Sequence, residues 1–259
     1  MRAIVLSAGQ GRRLLPLTAA DPKCLLPLDG DASALEIQLR TLSRCGVDHV
    51  TVLVGFGAPR VERFLRETKF PDLQVETQYN PFFSMTDNLV TCWLARTAMT
   101  GDFILVNGDT LFEEALLRRV LDSPAAPITV TIDRKGSYDS DDMKVSLDPE
   151  KRLRAIGKTL SRASVDGESI GMLLFRQSGP AAFREALETA IRQPESLRAW
   201  YLSVVNDLAQ KVPVETACIE GLWWAEIDSP DDLDVVRAHY AARRGAARMA
   251  ASPASNVEF

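Results

Sequence analysis

Two glycines and two cations open the chain. Ala3-Ile4-Val5-Leu6-Ser7 is an apolar run that empties into Ala8-Gly9-Gln10-Gly11, with Arg13 and Lys23 following in quick succession. Residues without a Cβ let backbone N–H groups approach an anion closely. Two cations behind them can neutralise charge on the same ligand, which is chemistry for gripping a triphosphate. A second element, Ile104-Leu105-Val106-Asn107-Gly108-Asp109, reads as a buried strand ending in a carboxylate. Open α/β sheets bind ligands at the carboxyl ends of their strands, and Asp109 there is a hard oxygen donor suited to Mg2+ on a nucleotide. Its plainer role would be to cap a helix starting near Leu111, because Asp is a favoured N-cap. A third element, Trp223 to Leu233, places Trp224, Glu226 and Asp228 on one strand face by alternation. A helix then starts at Pro230, with Ser229 as its cap.

Two better-known phosphate loops do not fit. A dinucleotide fingerprint needs a glycine where Leu14 stands and an acidic residue about 20 positions on, whereas the chain supplies Asp21-Pro22-Lys23. A Walker A loop needs Gly-Lys-Ser/Thr, and the sequence has Gly11-Arg12-Arg13. An ordinary strand-to-helix turn would account for Gly9-x-Gly11 alone but not for the longer string.

Gly9-x-Gly11-x-Arg13, then Pro16-Leu17-Thr18, then Pro22-Lys23-x-Leu25-Leu26-Pro27 resembles the N-terminal signature of the nucleotidyltransferases that make NDP-sugars and CDP-alcohols. The resemblance implies attack of an acceptor phosphate on the α-phosphate of a nucleoside triphosphate, with Mg2+ and release of pyrophosphate. Such chemistry asks the protein for charge neutralisation and in-line positioning. The nucleotide would be held by Leu6, Ala8, Gly9, Gln10, Gly11, Arg12, Arg13, Lys23, Asp87, Asn88, Thr91 and Asp109. Arg13 and the loop backbone would take the β- and γ-phosphates, with Lys23 beside the α-phosphate. Asp109 and Asp228, with Glu226 as a further donor, would hold the metal. Lys158 resembles the family's acceptor-phosphate lysine, and Lys144 is a weaker candidate for that task. Glu168 and Gly171 fall where the family's acceptor side lies.

Asn80 through Arg96 looks like the Asn-x-x-Ser segment of the cytidylyltransferases acting on phosphocholine, aminoethylphosphonate or inositol phosphate, with Thr91 keeping the hydroxyl. It lacks the Gly-Thr-Ala loop of hexose-1-phosphate members. The expected nucleotide is therefore CTP and the acceptor a small phosphorylated alcohol or phosphonate. Phe82, Phe83, Trp200, Tyr201 and Trp224 offer aromatic faces for a quaternary ammonium, while Asp87, Asp142 or Glu168 would suit a primary amine. The rivals are an NDP-sugar pyrophosphorylase using UTP or dTTP and, in another class, a nucleotide-sensing or assembly subunit without catalysis. Intact Arg13, Lys23, Asp109 and Asp228 argue against the latter.

These residues need a scaffold that alternates strand and helix. Strands are expected at 3–7, 50–54, 73–78 and 103–107, with helices at 33–45, 59–67 and 88–99. The second half is less regular, with strands at 128–132, 143–146, 153–157 and 170–175 and helices near 180–192 and 200–211. The pattern predicts an α/β fold: a Rossmann-like, mostly parallel mixed sheet with helices on both faces. One domain would span 1–240, with a nucleotide-binding half (1–125) and an acceptor-binding half (126–240). Residues 241–259 are expected to be a frayed helix and disordered tail. A 259-residue chain that is 46% hydrophobic can bury a full core. Its net charge of −5 speaks against nucleic acid and anionic membranes as partners, while a second copy of the chain is compatible with it. Scattered Cys24, Cys45, Cys92 and Cys218 suggest neither zinc nor disulfides. With no apolar stretch of spanning length, a cytoplasmic location is expected.

Overall fold

Alternation along the strands builds two packed faces. In β1 (Arg2–Ser7), Ile4 and Leu6 join one apolar cluster and Ala3 and Val5 the other. The computed structural model describes residues 1–251 of the chain. After β1 come β2 (Pro27–Asp29), β3 (Ala32–Ser33), α1 (Ala34–Arg44), β4 (His49–Val54), α2 (Ala58–Glu67), β5 (Gln74–Tyr79), α3 (Asn88–Leu94), β6 (Phe103–Asn107), β7 (Thr110–Phe112) and α4 (Glu114–Leu121). The second half adds β8 (Ile128–Asp133), β9 (Lys144–Leu147), β10 (Leu153–Gly157), β11 (Gly167–Phe175), α5 (Gly179–Ala190), α6 (Tyr201–Ala209), β12 (Glu215–Cys218), β13 (Trp224–Glu226) and α7 (Pro230–Ala251).

The first half is parallel: β6, β1, β4 and β5 lie side by side in that order. Helices α3, α5 and α6 cover one face through Leu89, Phe183 and Val205. Helices α1, α2 and α4 cover the other through Leu39, Val61 and Leu116. The second half is built on β11, which runs antiparallel to all its partners. One edge of β11 is taken by β8. The other is shared, with β9 at Gly167–Glu168 and β6 at Met172–Phe175. The division falls at Gly171, whose φ of +70° is open to glycine, and the β8 register shifts between Ser169 and Leu173. Strands β6 and β9 therefore diverge from a common neighbour, and the space between them opens toward the carboxyl ends of the parallel strands.

The structure departs from the pattern reading in a few places. The residues after Asp109 form β7, paired antiparallel with β13, and the next helix begins only at Glu114. Asp109 is thus not a helix cap. Helix α3 stops at Leu94 and continues as a 3-10 turn to Ala98. Strand β12, parallel to β8, has no period-2 signal strong enough to announce it. Helix α7 crosses the boundary drawn at residue 240 and runs through Ala251, so residues 241–251 are helical; 252–259 lie outside the described residues. Its first turns are anchored by Leu233 and Val236 beneath the signature loop. His239 meets Glu113 at 2.9 Å, and Arg243 and Arg244 pair with Glu113 and Asp29. Among the described residues no helix is long and apolar enough to cross a membrane.

Candidate active site

The signature loop is held from below by the residues that follow it. Gly11 takes φ +68°, and a Cβ there would stand 3.0 Å from Lys23 Cβ, so the loop lies directly on the lysine stem. Buried Thr18 donates from Oγ1 to the Gly11 carbonyl at 2.8 Å, and Leu14 fills the core beneath. Pro16-Leu17-Thr18 is thus a brace for the turn. The loop walls a cleft of about 490 Å³ at the carboxyl end of β1. All twelve residues expected at the nucleotide line it: Leu6, Ala8, Gly9, Gln10, Gly11, Arg12, Arg13, Lys23, Asp87, Asn88, Thr91 and Asp109.

On the cleft floor the cations and carboxylates meet. Lys23 Nζ lies 2.6 Å from Asp109 Oδ2 and 3.0 Å from Asp228 Oδ1, and Arg13 reaches Asp228 Oδ2 at 2.8 Å. Burial works against the Lys23 charge, but the two carboxylates outweigh it and its pKa rises. Asp228 is likewise half-buried, yet Lys23 and Arg13 hold its carboxyl below the usual range. Glu226 is the opposite case: burial first, then repulsion from Asp109 and Asp228, pushes its pKa up to about 8.

Asp109 and Asp228 stand together on the cleft floor, and at Asp109 an oxygen is left for a hard cation. Asp109 Oδ1 is buried with no hydrogen-bond partner, and a Mg2+ site needs only one or two carboxylates besides phosphate and water oxygens. Glu226 does not complete a set. No group of three or more His, Cys, Asp or Glu side chains is assembled for an ion among the described residues.

A second cleft of about 430 Å³ opens where β6 and β9 diverge and shares Arg13, Asn88, Asp109, Trp200 and Asp228 with the first. Lys158 lines it, 4.2 Å above the Trp200 ring and 3.5 Å from Asp141 Oδ1. Glu168, Gly171 and Trp224 line it as expected. Trp224 is oriented by its indole N–H, which donates to Asp133 at 2.7 Å. Lys135 bridges Asp142 at 2.8 Å and Glu168 at 2.9 Å. Burial raises the Glu168 pKa to about 6, with Lys135 pulling it back and Asp142 adding to the rise.

Three expectations for this cleft are corrected. Lys144 turns inward at the start of β9, where its ammonium is taken up by the carbonyls of Asp139, Asp142 and Lys158. It braces the loop and lines neither cleft. Phe83 belongs to the nucleotide cleft, packed in the space left by Gly55, where a Cβ would come within 2.6 Å of it. A five-membered aromatic cage is not formed: Tyr201 is fully buried and Phe82 lies outside both clefts, leaving Trp200 and Trp224.

The pattern reading missed Arg198, Lys135 and Asp141. Arg198 enters the nucleotide cleft because the chain flanking it is clamped to α3. Asp87 N–H donates to Leu197 O at 2.9 Å and Leu89 N–H to Ala199 O at 3.2 Å. A lone arginine in an irregular segment carries no local signal for this. Asn80, by contrast, is a structural hub, donating to Thr91 Oγ1 at 2.9 Å and accepting from Phe82 N–H at 2.8 Å. The hydroxyl retained at Thr91 thus serves to hold the 80–88 loop over the cleft.

Comparison with known proteins places these features in context. The profile of the MobA-like NTP transferase domain matches residues 3–208. A bifunctional IPC transferase and DIPP synthase of Aquifex aeolicus is 27% identical over 235 residues, covering 90% of this chain and 50% of that protein. A CTP:phosphoglutamine cytidylyltransferase of Campylobacter jejuni is 22% identical over 259 residues, covering 91% and 98%. The solved inositol-1-phosphate CTP transferase of T. maritima superposes with a TM-score of 0.77 at 21% identity, covering 93% of this chain and 94% of its own. The chain thus spans half the length of the Aquifex relative and nearly all of the Campylobacter one.

Proposed function

Since the chain belongs to the MobA-like NTP transferase family, we propose that it is a Mg2+-dependent cytidylyltransferase that transfers CMP from CTP to a small phosphorylated alcohol or phosphonate and releases pyrophosphate. The observation that carries this reading is the junction of the two clefts. Lys23 and Arg13 there share Asp228, and Lys23 also holds Asp109. Two similar proteins, named as a CTP:phosphoglutamine cytidylyltransferase and an inositol-1-phosphate CTP transferase, support the choice of base and acceptor class.

The chain's own residues divide the work by position. The Gly9–Arg12 backbone and Arg13 hold the β- and γ-phosphates and stabilise the leaving pyrophosphate. Lys23, rigidly seated, stays charged and faces the α-phosphate and the attacking oxygen, where charge develops. Asp109 and Asp228 would hold Mg2+, which when bound offsets α-phosphate charge. Lys158, stacked on Trp200, steers the acceptor phosphate toward the junction, and Lys135, Asp142 and Glu168 read the far end of the acceptor. No covalent nucleophile is required, because an acceptor phosphate oxygen already bears charge.

Pyrophosphate release, measured for CTP, UTP, ATP, GTP and dTTP against phosphocholine, phosphoethanolamine, aminoethylphosphonate, inositol phosphate, glycerol phosphate and glucose 1-phosphate, tests the reading. Turnover with CTP and one of the alcohol phosphates or phosphonates is expected. Turnover confined to UTP or dTTP with the sugar phosphate would make the protein an NDP-sugar pyrophosphorylase instead.

A further inference from the structure

Gln38 lies outside both clefts and outside every signature string, yet it grips the turn that carries Asp109. It occupies the apolar stripe of α1, among Leu35, Leu39 and Leu42, and is 1% exposed. A polar side chain is unusual at such a position and needs partners. Its Nε2 donates to the carbonyl oxygen of Asn107 at 2.9 Å and to that of Thr110 at 2.6 Å. These two carbonyls bracket Gly108-Asp109. The orientation of the amide follows from them, because exchanging N and O would set Oε1 against two carbonyl oxygens. Oε1 itself is buried with no partner, so the side chain does more for the turn than for its own polar atoms.

Other bonds tie the same turn to everything it must face. Gly108 N–H donates to Leu6 O at 2.9 Å, next to the signature loop, and Ile227 N–H donates to Asp109 O at 3.2 Å, beside Asp228. Thr110 Oγ1 donates to Ile170 O at 3.0 Å, beside Gly171. Among the described residues, the Gln38 side chain hydrogen-bonds the carbonyls at both ends of the turn.

We propose that Gln38 is a positioning residue for the metal-binding carboxylate. By pinning the carbonyls of Asn107 and Thr110, it fixes the direction in which Asp109 presents its oxygens toward Asp228. The inference rests on the role given to Asp109 under the proposed function. Partners that orient a ligating side chain typically govern metal affinity or activity by about 10- to 100-fold.

The test compares wild type with Gln38→Met, which keeps the shape and loses the donor, and with Leu42→Ala, which weakens the same helix face without touching the turn. Binding of Mn2+, without nucleotide and with each of CTP, UTP and dTTP, is followed by electron paramagnetic resonance, alongside thermal unfolding and pyrophosphate release. The Mn2+ dissociation constant and kcat should each worsen by about tenfold or more in Gln38→Met. The acceptor KM should stay within about twofold, because the acceptor residues are untouched. Leu42→Ala should lower Tm with Mn2+ affinity unchanged. Wild-type Mn2+ affinity in Gln38→Met, an equal loss in Leu42→Ala at matched Tm, or no Mn2+ binding by wild type would each overturn the inference. Failure of the wild type to use CTP would instead count against the proposed reaction, and the Mn2+ comparison would still judge Gln38.

Discussion

Lys23 is the side chain on which the account depends most. It is the link between Asp109 and Asp228, at 2.6 and 3.0 Å, and only 15% of its side chain is exposed. A charge so placed is already oriented when the triphosphate arrives, which is the condition under which electrostatic stabilisation is worth most. Lys23→Ala and Asp109→Ala are each expected to lower kcat by at least about a hundredfold, the scale for one lost stabiliser. Near-normal steady-state turnover in either would remove its assigned role. Glu168 makes a prediction of another kind. Its folded pKa, about 6, lies above the ordinary value of 4.5, so folding favours the protonated form. That contribution is complete below the ordinary value and is lost as pH rises through 6. Asp142, whose carboxyl is held low, does not titrate in this window. The stability gap in favour of Glu168→Gln should therefore widen between pH 4.5 and 7 by on the order of 2 kcal/mol. Urea unfolding at the two pH values measures it, and a pH-independent gap would contradict the assignment. At this scale the nucleotide cleft was legible because its residues sit in contiguous strings with a fixed job for each type. Of the lysines in the second half, Lys158 was singled out and lines the second cleft, but Lys135 was missed and Lys144 misplaced. Lys144 starts β9 and turns to carbonyls, while Lys135 follows β8 and meets Asp142 and Glu168, which strand periodicity does not tell apart.

Among the elements, β11 and the turns around it decide how the site opens. The bend at Gly171 brings its Cα against Asn107, where a Cβ would stand 2.3 Å from Nδ2. Asn107 in turn accepts from the buried Tyr201 hydroxyl at 3.4 Å. Gly171→Ala combines a left-handed backbone with this overlap, and about 1–3 kcal/mol of destabilisation is expected from the backbone alone. It should also raise the acceptor KM more than the CTP KM, because the displaced groups border the second cleft. Equal effects on both, read from initial-rate kinetics, would argue that the bend serves the fold only. Most strands and helices could be placed from hydrophobic period, since each buries a full face. Strand β7 could not, because Thr110-Leu111-Phe112 is too short to show a period and is defined by its pairing with β13. The early stop of α3 has a similar origin. Its 3-10 continuation keeps Ala95 buried, so the apolar spacing persists past the true end of the α-helix.

Across the whole molecule, the two halves meet along β6 and β11, and the two clefts share five residues at that seam. The division into two halves therefore has a structural counterpart, a parallel sheet joined to an antiparallel addition, and under the proposed function the first would present the triphosphate and the second the acceptor. The long helix α7 ties the carboxylate-bearing β13 segment to the underside of the signature loop through Leu233, Val236, Leu14 and Leu26. Helix past residue 240 was expected as a frayed end, but how far it runs was not legible, because Ala-Ala-Arg-Arg-Gly-Ala-Ala-Arg carries no apolar stripe and helical propensity alone does not fix an end. The central claim is that the α-phosphorus of CTP passes to an acceptor phosphate or phosphonate at the seam. The most direct measurement follows α-labelled CTP with each acceptor and Mg2+. The account predicts label in a CDP- or CMP-linked product, unlabelled pyrophosphate in equal amount, and no comparable transfer from α-labelled UTP or dTTP. Transfer from UTP or dTTP to a sugar phosphate, with CTP inert, would contradict it.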